Sequence, residues 1–335
     1  MADTKIEWAE KTWNPVTGCT PISEGCDNCY AKREAEGRLR GRGGYPEDDP
    51  FRVTLRQDRL DQPLRWKKQS RIFVCSMGDL FHEDVPDEFI DQAFSVMLAC
   101  HIWNNVPGHR ILILTKRASR MTEYFSAGPE ALLKRWANAG DGWLICNNPD
   151  ILFSELVYSA TCHDWDESGR NSNGSPYKPW GYLDQLWPLP NVFLGVTAEN
   201  QARANERIPI LLQIPAAVRF ISVEPMLSAV DLTNIQFDKW TRMNILEGCG
   251  ITTRPGAMGQ SLPNYYCQPL SWVICGSETG PNARPIEEEW VKNLKDQCVA
   301  ANVPFFYKQK MVNNKKITLP ELEGKQWAEF PRTIG

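Results

Sequence analysis

Short continuous apolar runs recur along this chain, and each closes on polar residues. Ile72–Ser76 (IFVCS) runs into Met-Gly-Asp-Leu, Ile111–Thr115 (ILILT) into Lys116-Arg117, and Val192–Val196 (VFLGV) into Thr-Ala-Glu-Asn. Val218–Ser222 (VRFIS) runs into Val-Glu-Pro, Trp272–Cys275 (WVIC) into Gly-Ser-Glu-Thr-Gly, and Val303–Tyr307 (VPFFY) into Lys308-Gln309. A first run, Trp13–Gly18, leads into a loop. Runs this short, β-branched and unbroken predict strands buried on both faces. Between them, Asp87–Asn104, Ala202–Gln213 and Glu287–Ala301 carry apolar residues at helical spacing and predict helices. Alternating strands and helices imply right-handed βαβ units, a parallel sheet and the α/β class. With 335 residues, the chain has room for one large barrel or two ordinary domains. The expectation is a single domain over 1–335.

Parallel barrels carry their active sites at the C-terminal strand ends. At those ends the chain places Gly78, Asp79, Lys116, Arg117, Thr197, Glu199, Glu224, Ser277, Glu278 and Lys308. Glu224 is the sharpest of these, because a carboxylate directly after a buried strand needs a partner. Two segments, 137–190 and 233–270, lack clean periodicity and are too long for ordinary connections. They are expected to be insertions that cap the barrel mouth. The stretch Arg42–Lys68 interleaves Arg52, Arg56, Arg59, Arg65, Lys67 and Lys68 with Trp66. It reads either as a surface for a phosphate backbone and stacked bases or as a solvated face with packed rings. No P-loop is present, and no GxGxxG follows a strand.

The chemistry concentrates in GCTPISEGCDNCYA, where Cys19, Cys26 and Cys29 stand at C-x6-C-x2-C spacing. Three thiolates in a short loop make a soft-metal site suited to an iron–sulfur cluster or zinc. As a cluster, the triad leaves one iron without a protein ligand. As structural zinc it needs a fourth donor. None of His82, His101, His109 and His163 lies beside it, so that donor would be a remote cysteine. Unligated or disulfide-forming thiols are the third reading. Eleven cysteines, an odd count, and a charged N-terminus without an apolar core point to a reducing cytoplasm. No run of 18 apolar residues exists, so no membrane span is expected. A net charge of −4 confines any nucleic-acid contact to a local patch.

The runs WNPVTGCTPISEGCDNCYA, FVCSMGDLF, LILTKR, VFLGVTAEN, FISVEPM, GSETGPNARP and VPFFYKQ resemble the phage Gp37/Gp68 family over nearly the whole chain. That family is similar to radical S-adenosylmethionine (SAM) enzymes and distantly to spore photoproduct lyase. The resemblance implies a partial (β/α)6 TIM-like barrel with inserted loops. It implies that Cys19, Cys26 and Cys29 hold a [4Fe-4S] cluster whose open iron chelates SAM. Tyr30, Ser76, Gly78, Asp79, Thr197, Glu199, Asn200, Ser222 and Glu224 fall at positions implied to contact SAM. Lys116, Arg117, Glu278, Arg284, Lys308 and Gln309 are implied substrate or catalytic groups. The gap between the first two cysteines is longer than the commonest superfamily spacing, and Asp79 stands where Glu is common. The implied partners are an external electron donor such as flavodoxin or ferredoxin and, as substrate, a DNA base such as a hypermodified thymine undergoing rearrangement. A small molecule or peptide substrate is the alternative within the same chemistry. A zinc-stabilised binding protein is the alternative outside it.

Overall fold

The computed structural model describes residues 4–103, 106–144, 151–161, 186–252 and 265–332. In chain order the principal elements are β1 (Lys11–Trp13), α1 (Tyr30–Glu36), β2 (Arg71–Val74), α2 (Asp87–Ile102), β3 (Arg110–Thr115), α3 (Ala118–Phe125), α4 (Pro129–Gly140) and α5 (Phe153–Thr161). They continue with β4 (Val192–Thr197), α6 (Gln201–Leu211), β5 (Val218–Val223), β6 (Trp272–Gly276), α7 (Glu288–Ala300), β7 (Phe305–Val312) and β8 (Lys315–Thr318). The eight strands form one sheet whose spatial order is their sequence order. Strands β1 to β7 run parallel, and β8 returns antiparallel to β7. Each predicted strand falls within or overlaps an observed one, and the three predicted helices are α2, α6 and α7.

A sheet wound in sequence order sends its crossovers to one side, and here it curls into a half-barrel with two unlike faces. Period-two alternation assigns each strand residue to a face. Ile72, Val74, Ile111, Ile113, Leu194, Val196, Ile221 and Val273 pack outward with α2, α3, α4 and α6 in the main core. Phe73, Leu112, Phe193, Val218, Phe220, Trp272, Ile274 and Phe306 form a separate inner cluster. Trp8 and Ala9 from the N-terminal segment join that cluster, with Phe330 packed against it. An ion pair between Glu7 and Lys316 at 2.9 Å ties the N-terminal segment to β8.

The segment 233–270 contains a four-stranded antiparallel sheet built from Ile235–Gln236, Thr241–Asn244, Cys249–Thr252 and Tyr265–Tyr266. Ile235, Met243, Ile245, Leu246 and Leu270 bury themselves in the outer core. The side-chain amide oxygen of Asn205 on α6 accepts from the Gln236 backbone N–H at 3.1 Å. This small sheet stands where a crossover helix would otherwise connect β5 to β6. Residues 137–144 complete α4 and the turn after it, and α5 follows, with Leu144, Phe153 and Val157 in the same core. Leu186 and Leu189 join that core as well, and 145–150 and 162–185 of the expected insertion lie outside the described residues.

Trp272 is the keystone of the inner cluster. It is fully buried, with ring centroids of Phe220, Phe306 and Phe330 at 5.6, 6.0 and 5.5 Å. Its indole N–H donates to the Glu329 carbonyl at 2.8 Å. Trp272→Ala is expected to cost about 3–5 kcal/mol, measured as a lowered midpoint in urea unfolding.

Candidate functional site

Following the inner face toward the carboxyl edge turns an apolar floor into a polar mouth. On β3 and beyond, the inward series is Leu112, Leu114, Lys116; on β4 it is Phe193, Gly195, Thr197, Glu199. On β5 it is Val218, Phe220, Ser222, Glu224, and on β6 it is Trp272, Ile274, Gly276, Glu278. A cavity of about 680 Å³ opens there, lined by Lys116, Thr197, Ser222, Glu224, Glu278 and Lys308 among others. Cys19, Cys26 and Cys29 line the same cavity. None of the described residues of 233–270 does.

The cysteine loop is gripped from three strand ends. At the first, Arg117 donates from Nη1 to Cys19 Sγ at 3.2 Å and from Nη2 to the Thr20 carbonyl and hydroxyl at 3.0 and 2.9 Å. Asp79 pairs with the same guanidinium at 3.3 Å and accepts from the Thr115 hydroxyl at 2.8 Å. At the second, the fully buried Glu199 pairs with Arg207 at 2.8 Å and accepts from the Ser23 hydroxyl at 2.6 Å. At the third, Glu278 pairs with Arg284 at 2.6 Å and accepts from Asn28 at 2.8 Å. Arg284 also donates to the Glu24 carbonyl at 2.7 Å. Glycines allow the loop to sit this close. Gly18 has φ +84° and a Cβ there would lie 2.0 Å from the Arg52 carbonyl oxygen, while a Cβ on Gly25 would lie 2.4 Å from Glu199 Oε1.

A second constellation faces the loop across the cavity. Glu224 pairs with Lys308 at 2.6 Å and accepts from Gln309 at 2.9 Å. Two consecutive β7 residues reach one carboxylate because the β6–β7 register shifts between Cys275 and Gly276. An irregularity of this kind re-aims side chains at a strand end. The need for a partner at Glu224 is thus met within the protein. The Ser222 hydroxyl is buried beside it and has no hydrogen-bond partner among the described residues.

The environment of the thiols is uneven. Burial, with Asp79 adding to it, pushes the Cys19 thiol up to about 11, against the pull of Arg117. Cys75 also lines the cavity; burial drives its thiol well above the usual range, against a hydrogen bond from the Val16 backbone N–H to its sulfur. The nine cysteines among the described residues are free thiols. Among the described residues, no three His, Cys, Asp or Glu side chains converge for a single metal ion.

Several expected ligand contacts are occupied by the fold itself. Gly78 bridges Gly18 in parallel, bringing the loop onto the end of β2. The Tyr30 hydroxyl donates to the Ser76 carbonyl, and the Ser76 hydroxyl donates to Asn14 at 3.2 Å. Asn200 caps α6 by accepting from the Arg203 N–H at 2.9 Å, and its amide donates to Glu24. Lys116 stands 3.7 Å from Glu199. In the stretch Arg42–Lys68, Arg56 is buried on Thr17 and lies over the Tyr45 ring, and Arg59 donates to the Gly43 carbonyl. Arg52 and Arg65 pair with Asp48 and Asp61. Sequence reasoning missed Thr20, Ser23, Asn28 and Arg207. The loop positions carried a signal in their closeness to the cysteines, whereas Arg207 sits mid-helix and had none.

A curled, mostly parallel sheet with a thiol-lined cavity at its carboxyl edge defines an α/β protein with a cysteine-centred site. The chain belongs to the family described as "Protein of unknown function (DUF5131)", whose model matches residues 3–331. No curated protein and no solved structure matches it. No helix among the described residues is long and apolar enough to cross a membrane.

The clamps have a pH signature. Burial pushes the Glu278 carboxyl up, but hydrogen bonds from Arg284 and Asn28 outweigh it and hold the group below the usual carboxylate range. A carboxyl lowered by folding adds stability above its unfolded pKa of about 4.3, and that stability is lost as pH falls toward the folded value. Glu278→Gln is therefore expected to lower Tm at neutral pH, with the gap to wild type closing below about pH 4 in thermal melts. Arg207→Met removes the closest cation of the buried Glu199, leaving it only Lys116 at 3.7 Å, and is expected to cost about 3–5 kcal/mol in urea unfolding.

Proposed function

We propose that this protein is a radical SAM enzyme on a partial (β/α)6 barrel, with Cys19, Cys26 and Cys29 as the ligands of a [4Fe-4S] cluster. The observation that carries this reading is the placement of those three thiols on one loop, facing a cavity of about 680 Å³ at the carboxyl edge of a parallel sheet. The donor set fits. The thiols are free and partly exposed, and a cluster spreads its ligands around a cage instead of gathering them on one ion. When bound, the cluster supplies one-electron reductive cleavage of SAM chelated at the iron that no cysteine holds, yielding methionine and a 5′-deoxyadenosyl radical.

The chain's own residues supply placement and exclusion of water. Three ion-pair clamps hold the cysteine loop through the protein's own contacts, which lowers the ordering cost of assembling the site. The Ser222 hydroxyl and the Glu224–Lys308–Gln309 wall offer both donors and an acceptor to a ligand rich in hydroxyl and amino groups. The inner aromatic floor closes the far end of the cavity. The reductant is an external donor of the flavodoxin or ferredoxin type.

For the substrate, the resemblance favours a DNA base rearranged by hydrogen abstraction. A base in duplex DNA would have to be flipped into the mouth. The arginines Arg52, Arg56, Arg59 and Arg65 have protein partners, and Lys67 and Lys68 precede β2 at the opposite, amino edge of the sheet, so a phosphate backbone would rely on cations elsewhere at the mouth.

Anaerobic reconstitution with iron and sulfide, followed by dithionite and SAM, tests the reading. Wild type is expected to release 5′-deoxyadenosine and Cys26→Ala to release none. A colourless protein holding stoichiometric zinc, with no SAM cleavage, would sink the enzyme reading in favour of a zinc-stabilised binding protein. DNA as substrate predicts stimulation of 5′-deoxyadenosine release by DNA and binding that weakens steeply with salt; stimulation by small molecules or peptides alone assigns the substrate elsewhere.

A further inference from the structure

We infer that Arg117 is a positioning residue for the Cys19 ligand, raising the electron affinity of the cluster, and not a phosphate-binding group. The inference rests on the cluster reading above. The sequence placed Arg117 among substrate contacts because it follows a strand directly. In the fold its fork has no donor left to give. Nε donates to Glu83 at 2.7 Å, Nη1 is shared between Cys19 Sγ at 3.2 Å and Asp79 at 3.3 Å, and Nη2 serves both oxygens of Thr20. The side chain is 3% exposed. Its anchors come from the ends of β2 and β3 and from the cysteine loop, so the guanidinium cannot swing away without breaking several buried bonds.

The Thr20 hydroxyl is itself held. It lies 2.8 Å from Nε2 of His82, whose Nδ1 accepts from the Asp84 N–H at 3.1 Å. That pairing leaves the Nε2 proton to be donated to Thr20. The second partner therefore fixes the oxygen that fixes the arginine. Outer partners of this kind orient metal ligands and tune the centre.

The three cysteines are not equivalent. Cys19 has the guanidinium, whereas Cys26 has the Ser23 hydroxyl at 3.9 Å. Among the described residues no cation bonds Cys26 or Cys29. Reduction adds one negative charge to a cluster, and part of it resides on the cysteine sulfurs. An N–H donor held against one sulfur stabilises that added charge, and hydrogen bonds to sulfur are a principal lever on cluster potential. Asp79 and Glu83 offset the net charge of Arg117. The directed N–H···S contact thus carries the effect, and a cation without the fork reproduces it only in part.

The test is a potentiometric titration of the reconstituted protein, followed by electron paramagnetic resonance of the reduced cluster. Wild type, Arg117→Lys and Arg117→Gln are compared at equal iron content. The midpoint is expected to shift to more negative potential in Arg117→Gln, with Arg117→Lys between the two. Coincident potentials would overturn the inference while leaving the cluster reading intact. If Arg117→Gln does not fold, Thr20→Ala keeps the arginine and removes one anchor; a smaller shift in the same direction is expected, and an unchanged potential overturns the inference. A wild type that takes up no cluster removes the cluster reading, and this inference falls with it.

Discussion

A carboxylate buried at the end of a strand cannot stand without a cation, and three such pairs hold this site together. Asp79 with Arg117, Glu199 with Arg207 and Glu278 with Arg284 sit at the carboxyl ends of three parallel strands or just beyond them. Each pair has bonding capacity left over, and each spends it on the cysteine loop: on Cys19 and Thr20, on Ser23, and on Glu24 and Asn28. The loop is therefore a cross-brace between those strand ends. A buried pair adds little net stability, because desolvation offsets most of the attraction. Its effect is to penalise every arrangement in which the loop is elsewhere.

The sheet supplies the other half of the geometry. Sequential parallel winding leaves one face to the helices and one to the molecule's own termini. The inner face can then change character along its length, from Trp272 and Phe220 at the floor to Glu278 and Glu224 at the mouth. The register shift opposite Lys308 concentrates two polar side chains of β7 on Glu224. A rigid apolar floor below and a braced loop above leave between them a cavity lined by both the thiols and the polar wall.

Much of the fold was legible because buried parallel strands must be continuous and apolar. IFVCS, ILILT and VFLGV admit no other reading at that length, and their polar sequels mark which end is open. The alternation within those runs was legible too, once the strands were placed. Leu114–Lys116, Gly195–Thr197–Glu199 and Phe220–Ser222–Glu224 all point their polar members inward by counting in twos. The small antiparallel sheet of 233–270 was not legible. Its strands are two to four residues long, too short for periodicity to register.

By itself the sequence determined the class of the fold, the edge of the sheet where the polar residues gather, and the three thiols of the loop beside it. These follow from local pattern, since strand burial, strand polarity and cysteine spacing are properties of neighbouring residues. Only the tertiary structure decided what the charged residues at that edge do. Arg117 and Glu199 read as groups free to meet a ligand, yet one is bonded to Cys19 and the other to Ser23 and Arg207. The Arg117 and Glu199 contacts to the loop span about 98 and 176 residues of chain. The physical reason is that an ion pair is chosen by the cost of leaving each partner alone in the interior. That cost depends on which distant strand ends the sheet brings together, and no local pattern encodes it.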